Sequence, residues 1–337
     1  TVNIHSNLAH IEWGDMVPEL ATDVEWSIKE SNNVFTSLRA DYQVTARGDS
    51  GDVEIYNVKE FFRVRYTAEE MFLLDYNRTM NQVFDGNKAV LDENGIMLGM
   101  ADTDVAYETN KKGTVVSFVQ ERVLWTYQMK NGELSQVFSF VSAEGRDARS
   151  RNDEHEVRII SMEDDGSTTF AVYGYMNCGE HEGKVGVNIF YFDIRENAVK
   201  EIAFIPSTKS FAIAEDELGK MVYYNQQEHL LYVLAGGVLY CVEAGNGRQK
   251  ELAENLTEGQ YAASADGHLL AYQTDGGLNE AEKVRVMDLA AGESYDVEAP
   301  EGSYIRPLGF IKNDFICGYG KPGDKGESVA GKSVVPM

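Results

Sequence analysis

The sequence predicts an all-β fold, a β-propeller of four-stranded blades, and three observations carry that expectation. The stretch from Tyr261 to Val297 reads as four short strands joined by turn residues, which is the make-up of one blade. Apolar segments with the character of second strands recur at Thr168–Tyr173, His229–Leu234, His268–Gln273 and Asp314–Tyr319. The last three stand roughly 40 to 47 residues apart, the length of a blade repeat. The composition is rich in Tyr (18) and Phe (15) and poor in Pro (6), which suits half-buried pleated surfaces. A blade buries its faces only against neighbouring blades, so one blade implies a ring. Six to eight blades are expected, seven favoured, because seven of about 45 residues would use nearly all of the 337-residue chain.

The first hundred residues fit this pattern least. Phe35–Ala46 and Val53–Tyr66 alternate as strands do. Thr67-Ala68-Glu69-Glu70 has the form of a capping box, Thr at the N-cap and Glu three residues later, and allows a helix from Ala68 to about Met80. The same segment places Phe72, Leu74 and Tyr76 on one face of a strand. The expectation is an atypical N-terminal region over 1–110, either irregular blades or a small separate domain. Propeller blades follow over 111–337, with the last unit reading as truncated.

Val115–Gln120, Arg122–Lys130 and Glu133–Phe140 continue the strands, with Asn131-Gly132 as a hairpin turn. Val157–Met162, Thr168–Tyr173, Val185–Asp193 and Ala198–Phe204 make a blade. About 60 residues then separate two second strands, more than one repeat, and Glu215–Lys220 supplies an insertion as a short helical turn. The blade from Lys220 to Ala253 is compact. Met221-Val222-Tyr223-Tyr224 leads to a turn at Gln226–Glu228, then to Leu230–Leu234. Gly236-Gly237 reverses the chain into Val238–Val242, since φ > 0 costs glycine little.

A net charge of -25 sets the chain against nucleic acid, whose phosphates need clustered Lys and Arg, and against anionic lipid. It favours solubility, and basic partners or cations where it does more than solvate the surface. Cys178, Cys241 and Cys317 are far apart with no Cys-x-x-Cys pair, so no zinc knuckle or disulfide framework is read here. No apolar run reaches the roughly 18 residues that span a bilayer. The chain starts at Thr1 and ends at Ser333-Val334-Val335-Pro336-Met337, which reads as a piece of a larger protein. A missing signal peptide therefore carries no weight.

The unit from Tyr261 to Val297 resembles the WD40-like repeat of TolB-type propellers. There a Ser-x-Asp-Gly turn precedes an apolar strand, and a strand ending in Met-Asp-Leu closes the blade. The matching residues are Ser264, Asp266, Gly267, Leu269–Tyr272 and Val286-Met287-Asp288-Leu289. Asp-Gly makes the tight turn between the first two strands. The resemblance implies fold and not chemistry, because propellers host many functions. Tyr173–Gly183, followed by Val185-Gly186, resembles a segment of envelope-anchored proteins of clostridial bacteria. That likeness implies an extracytoplasmic protein of unassigned function, held to the cell envelope by a segment outside this sequence.

Gly326-Glu327-Ser328-Val329-Ala330-Gly331-Lys332-Ser333 matches the P-loop pattern. A P-loop needs a strand running straight into it and a helix opening from it. Here Pro322 and several glycines precede the motif, and two valines and Pro336 follow, so it reads as a plain loop. Glu154-His155-Glu156 and Glu180-His181-Glu182 fall in the loop entering one strand and the loop between the second and third strands of that blade. These loops share an end of the blade, where His and carboxylate could ligate a divalent cation. Two solvated acidic loops are the plainer expectation. Thr274–Glu282 brings Asp275, Glu280 and Glu282 to the same end of its own blade, fit for a basic peptide or a cation. Met162–Gly166 reads as an ordinary hairpin turn. Neither Gly-x-Ser-x-Gly nor His-Glu-x-x-His occurs, and no EF-hand loop is complete.

No catalytic residue, metal ligand, ligand-binding residue or cofactor is assigned. The expected function is a non-catalytic module that binds a protein or glycan partner at one propeller face, with no nucleic acid partner and no membrane insertion by this chain. Two alternatives stand beside it. One is a glycan-active hydrolase or lyase with its site over the channel. The other is a sensor domain of a membrane signalling protein.

Overall fold

The computed structural model describes residues 1–48, 51–87, 90–91, 95–99, 105–141, 149–150, 152–208, 221–244, 246–321, 326–327 and 333–334. They fall into two compact units, 1–107 with 118–136, and 108–117 with 137–337. The expected helical turn at Glu215–Lys220 lies outside the described residues.

The first unit contains a six-stranded antiparallel sheet and one short helix. Its elements are β1 (Val2–Asn3), α1 (Leu8–Ile11), β2 (Glu19–Leu20), β3 (Glu25–Ser31), β4 (Thr36–Arg47), β5 (Val53–Tyr66) and β6 (Met71–Gln82). The order is β1-β6-β5-β4-β2, with β3 also on β4. Of the two readings open for Ala68–Met80, helix or strand, the structure takes the strand. Thr67 and Glu70 do bond as the capping signature requires, Glu70 N donating to Thr67 Oγ1 at 3.1 Å. But Thr67 N also donates to the Glu70 carbonyl at 2.8 Å, which closes a turn and sends β6 back along β5. The same Thr-x-x-Glu chemistry serves either a helix start or a side-chain-stabilised turn. The alternation of Phe72 to Tyr76 and the long partner β5 decide for the turn.

The N-terminal segment covers part of this sheet. Val44, Ala46, Tyr56 and Val58 are buried and pack with Trp13, Met16, Tyr42 and Met80. Arg78, only 5% exposed, ties that segment down. Its guanidinium donates to the carbonyls of His10 (2.7 Å) and Ile11 (3.1 Å) at the end of α1, and lies 3.7 Å from the centre of the Trp13 ring. Glu60 faces the same guanidinium at 3.9 Å and accepts from Tyr76 Oη at 2.6 Å. A cation at the carbonyl end of a helix is favourably placed.

The following strands are β7 (Tyr107–Thr109), β8 (Val115–Gln120), β9 (Val123–Gln128) and β10 (Glu133–Phe138), in the order β10-β9-β8-β7. Arg122, expected in a strand, is in the turn. Glu121 and Arg122 both adopt left-handed backbone, φ 49° and 64°. The Glu121 carboxylate accepts from Asn81 Nδ2 at 2.9 Å, which holds the turn despite its lack of glycine.

Three further four-stranded meanders make successive blades of the second unit. They are β11 (His155–Met162), β12 (Thr168–Tyr175), β13 (Val185–Asp193) and β14 (Ala198–Ser207); β15 (Val222–Asn225), β16 (Leu230–Ala235), β17 (Val238–Glu243) and β18 (Gln249–Ala253); and β19 (Tyr261–Ala263), β20 (Leu269–Gln273), β21 (Lys283–Asp288) and β22 (Glu293–Glu298). The hairpin β23 (Tyr304–Ile311) and β24 (Asp314–Gly320) follows, then β25 (Gly326–Glu327) paired with β26 (Ser333–Val334). The fold is an all-β propeller. Among the described residues it holds the six-stranded sheet, four four-stranded sheets and the β23–β24 and β25–β26 pairs.

The second strands show why the blades stack. Every residue of β20 is buried, and all of β16 but its first. Side chains alternate across a strand, so a strand buried on both faces reads as a continuous apolar run. Leu231, Val233 and Ala235 of β16 pack with Ala171, Val187, Ile189 and Ile205 of the preceding blade. Tyr232 and Leu234 point the other way and pack with Leu270 and Tyr272 of the next. Ala271 in turn joins Val284, Val286 and Ile305 of β23. Each fully buried Leu or Ile contributes about 1.5–3 kcal/mol. Gly236 and Gly237, φ 63° and 77°, make the tight β16–β17 turn as expected. A Cβ on Gly237 would stand 2.9 Å from the Leu256 carbonyl oxygen.

Candidate functional site

In an antiparallel meander the first and third turns lie at one end of a blade, and the second turn lies at the other. In the second unit the first end carries a cleft and the other carries the Glu-His-Glu triplets.

The cleft has a volume of about 330 Å³ and draws on three blades. Ile160 and Ser161 come from β11, Tyr223, Tyr224 and Asn225 from β15, and Gln226 and Gln227 from the β15–β16 turn. Asp266 comes from the β19–β20 turn and Ala290 from the β21–β22 turn. Asn225 builds it. Its Nδ2 donates to the carbonyls of Leu289 (2.9 Å) and Ala290 (3.1 Å), across to the next blade. Its Oδ1 accepts from the backbone amides of Gln227 (3.0 Å) and Glu228 (3.1 Å) and shapes its own turn. A buried amide bonded at both ends is a rigid strut.

Asp266 is set by the turn that carries the repeat resemblance. Its Oδ1 accepts from Ser264 Oγ (2.7 Å) and His268 N (3.3 Å) and bonds His268 Nδ1 (2.6 Å). Partial burial pushes the carboxyl up, but the Ser264 and His268 bonds outweigh it and hold Asp266 below the usual carboxylate range. It is therefore charged at neutral pH. Burial, with the charges of Asp288 and Asp266 behind it, raises the Tyr223 phenol, so Tyr223 stays a donor.

Behind Tyr224 lies a titratable group of two blades. Tyr224 Oη and His229 Nδ1 share a hydrogen bond of 3.1 Å. Burial, then the neighbouring Asp165 charge, raises Glu163, against the bond from Tyr191. Asp165 goes the other way, because Ser167 and Arg195 overcome its own partial burial. The turn over Met162–Gly166 is the expected ordinary hairpin, closed by Glu163 N to Ser167 O at 2.8 Å.

The two triplets do meet at one end of their blade, as the strand order required. Tyr175 N donates to the Glu154 carbonyl at 2.6 Å, and Arg149 forms an ion pair with Glu182. The imidazoles, however, are used in packing. His155 is 3% exposed and sits edge-on to Phe140, ring centres 4.7 Å apart. His181 stacks flat on Phe204 at 4.0 Å, with its Nε2 on Glu201 Oε1 at 2.8 Å. Among the described residues no three His, Cys, Asp or Glu side chains stand together as a metal site, so the alternative of a cation held by the triplets finds no geometry there. Asp275, Glu280 and Glu282 are exposed on a loop that β23 braces, Ile305 N donating to the Ala281 carbonyl at 2.8 Å.

The two described ends of the P-loop pattern pair with each other as strands. Gly326 pairs with Val334 and Glu327 with Ser333 in antiparallel register, where a phosphate cradle needs a helix to open. Residues 328–332 lie outside the described residues.

The sequence reading missed the cleft because it took Gln226–Glu228 only as a turn. An Asn that caps the amides two and three residues on, those of Gln227 and Glu228, was the available signal.

No family model matches the chain, and no curated protein matches its sequence. The resemblance of Tyr173–Gly183 to clostridial envelope-anchored proteins therefore stands without a match. The structure is similar to β-propeller proteins. The WD40 domain of SCAP from fission yeast is 11% identical, with a TM-score of 0.37, covering 91% of this chain and 70% of that one. The tricorn protease is 12% identical, with a TM-score of 0.32, covering 86% and 27%. The extracellular domain of a one-component system from B. thetaiotaomicron is 11% identical, with a TM-score of 0.33, covering 82% and 33%. The chain thus spans about a third or less of the latter two. At these scores the likeness carries no argument about activity. The propeller assignment rests on the stacked four-stranded sheets of the chain itself.

Proposed function

We propose that this chain is a non-catalytic binding module of an extracytoplasmic, envelope-associated protein, and that it takes a glycan or protein partner at the cleft end of its blades. The observation that carries this reading is the cleft built by Asn225 from three blades, with the amide side chains of Gln226 and Gln227 at its mouth. A concave site with a few fixed polar groups is the usual form of a ligand site, and this volume is near the small end of the range. The net charge of -25 supports the exclusion of nucleic acid. The envelope location rests on the resemblance of Tyr173–Gly183. No helix among the described residues is long and apolar enough to cross a membrane.

A second reading, a glycan-active enzyme, is favoured by one observation. Glu163 and Asp165 share the β11–β12 turn at the cleft end of the blade, where burial raises Glu163 and, against burial, the Ser167 and Arg195 bonds lower Asp165.

The test is a thermal-shift screen of the chain against glycans, cell-wall fragments and divalent cations with a chelator control. A ligand that binds only the folded state raises the melting temperature. A shift from one of these that Gln227→Ala abolishes supports the cleft reading. A shift that Gln227→Ala leaves unchanged overturns the cleft as the site, and turnover lost in Glu163→Gln moves the enzyme reading ahead.

A further inference from the structure

We infer that the cleft selects a neutral, hydroxyl-rich ligand, a sugar carrying vicinal diols, over an anion or a cationic peptide. This rests on the cleft being the binding site, and deepens that reading. The argument starts from which lining groups are still open to a ligand. Asn225 is spent on its four bonds, and Tyr224 on His229. What remains among the described residues is the buried Ser161 hydroxyl, the Tyr223 phenol, the Gln226 and Gln227 carboxamides, and Oδ2 of Asp266, since all three of the carboxylate's bonds fall on Oδ1.

That set is mixed. Each carboxamide has two donor hydrogens and an acceptor oxygen, the phenol donates and accepts, and the carboxylate oxygen only accepts. A sugar hydroxyl is itself both donor and acceptor, so adjacent hydroxyls satisfy such a set with no group left unpaired. Among the described residues no Lys or Arg lines the cleft, so there a phosphate, sulfate or uronate meets a carboxylate and no cation. A single carboxylate, already anchored on one oxygen, is a weak trap for a polycation but a good acceptor for a diol. The Tyr223 ring, with Ile160 and Ala290, supplies apolar surface against which the C–H face of a pyranose can lie.

The experiment is titration calorimetry of the chain with chitotriose, cellotriose and maltotriose as neutral probes. Trigalacturonate serves as the anionic comparator and tetralysine as the cationic one. The expected result is saturable binding of at least one neutral trisaccharide, weakened more than tenfold by Gln227→Ala and by Tyr223→Ala. Both variants are checked for an unchanged far-UV spectrum, and Gln227 is exposed, so its change leaves the fold intact. Binding of trigalacturonate or tetralysine that these variants abolish, with no neutral sugar bound, overturns the sugar class and keeps the cleft. Sugar binding that neither variant weakens overturns the cleft and leaves the class. No binding by any of the five probes overturns the inference.

Discussion

The two units solve the same problem, how to bury one side of a sheet, in different ways. In the second unit the strands are short and the sheets are stacked. Each second strand gives alternate side chains to two cores, so Leu231 and Tyr232, adjacent in sequence, serve different neighbours. In the first unit the strands run to fourteen residues and the sheet has one modest cover, the segment around α1 and Trp13. Beyond that cover apolar side chains stay in water, Trp26 at 60% and Ile28 at 69% exposure. The difference teaches where stability sits. In the blades it is spread over many apolar contacts. In the first unit the cover is tied to the sheet by one buried cation, Arg78, beside a small apolar cluster.

The sharpest way to break this contrast is Arg78→Ala. It removes two bonds to the end of α1 and the Trp13 stack, and leaves Glu60 without its cation. Removing one partner of a buried pair costs about 3–5 kcal/mol. The expected result, read by urea unfolding with Trp fluorescence, is loss of that order. A change under about 1 kcal/mol would mean the cover is held by apolar packing after all. Next in size is a matched pair. Leu239→Ala, at a fully buried blade position, is expected to cost about 2–5 kcal/mol. Ile28→Ala is expected to stay within about 0.5 kcal/mol. A large cost at Ile28 would show that the open face is covered in solution.

Much of this architecture was legible in the sequence, for a physical reason. A strand buried on both faces must be apolar at every position, and β16 and β20 stand out as such runs between turn residues. The reading stayed open between helix and strand where one local signal serves two structures. Thr67 and Glu70 make the bonds of a helix start, yet close a hairpin, and the partner strand that decides lies earlier in the chain. For the site, strand order alone placed both Glu-His-Glu triplets at one end of a blade. It could not say that His155 and His181 would pack on Phe140 and Phe204. The cleft was illegible because no segment contains it. Its residues are three turns and two strands from three blades, and only the register brings Gln227 and Asp266 together.

A smaller effect separates strut from surface within the cleft. Asn225→Ala removes the bonds that join two blades and leaves the Leu289 carbonyl without that donor. The expected loss is about 1–3 kcal/mol, measured by thermal unfolding. Gln227→Ala, exposed beside it, should cost under about 0.5 kcal/mol. Equal effects would dissolve the distinction between what builds the cleft and what faces the ligand.

The smallest effects are electrostatic, and they run in opposite directions at two turns of the same end. Asp266 sits below its unfolded value, so its contribution is complete above about pH 4 and is lost as pH falls further. Glu163 sits above its unfolded value. Its burden on the fold is absent below about pH 4 and grows as pH rises through its raised folded value. In melting curves taken from about pH 3 to pH 7, Asp266→Asn should therefore flatten the acid side. Glu163→Gln should raise stability on the neutral side and leave the acid side unchanged. If Glu163→Gln lowers neutral stability instead, the carboxylate is held charged by His229 and Tyr191 more strongly than burial opposes it. The turn would then be a charged anchor like that of Asp266, and not its opposite.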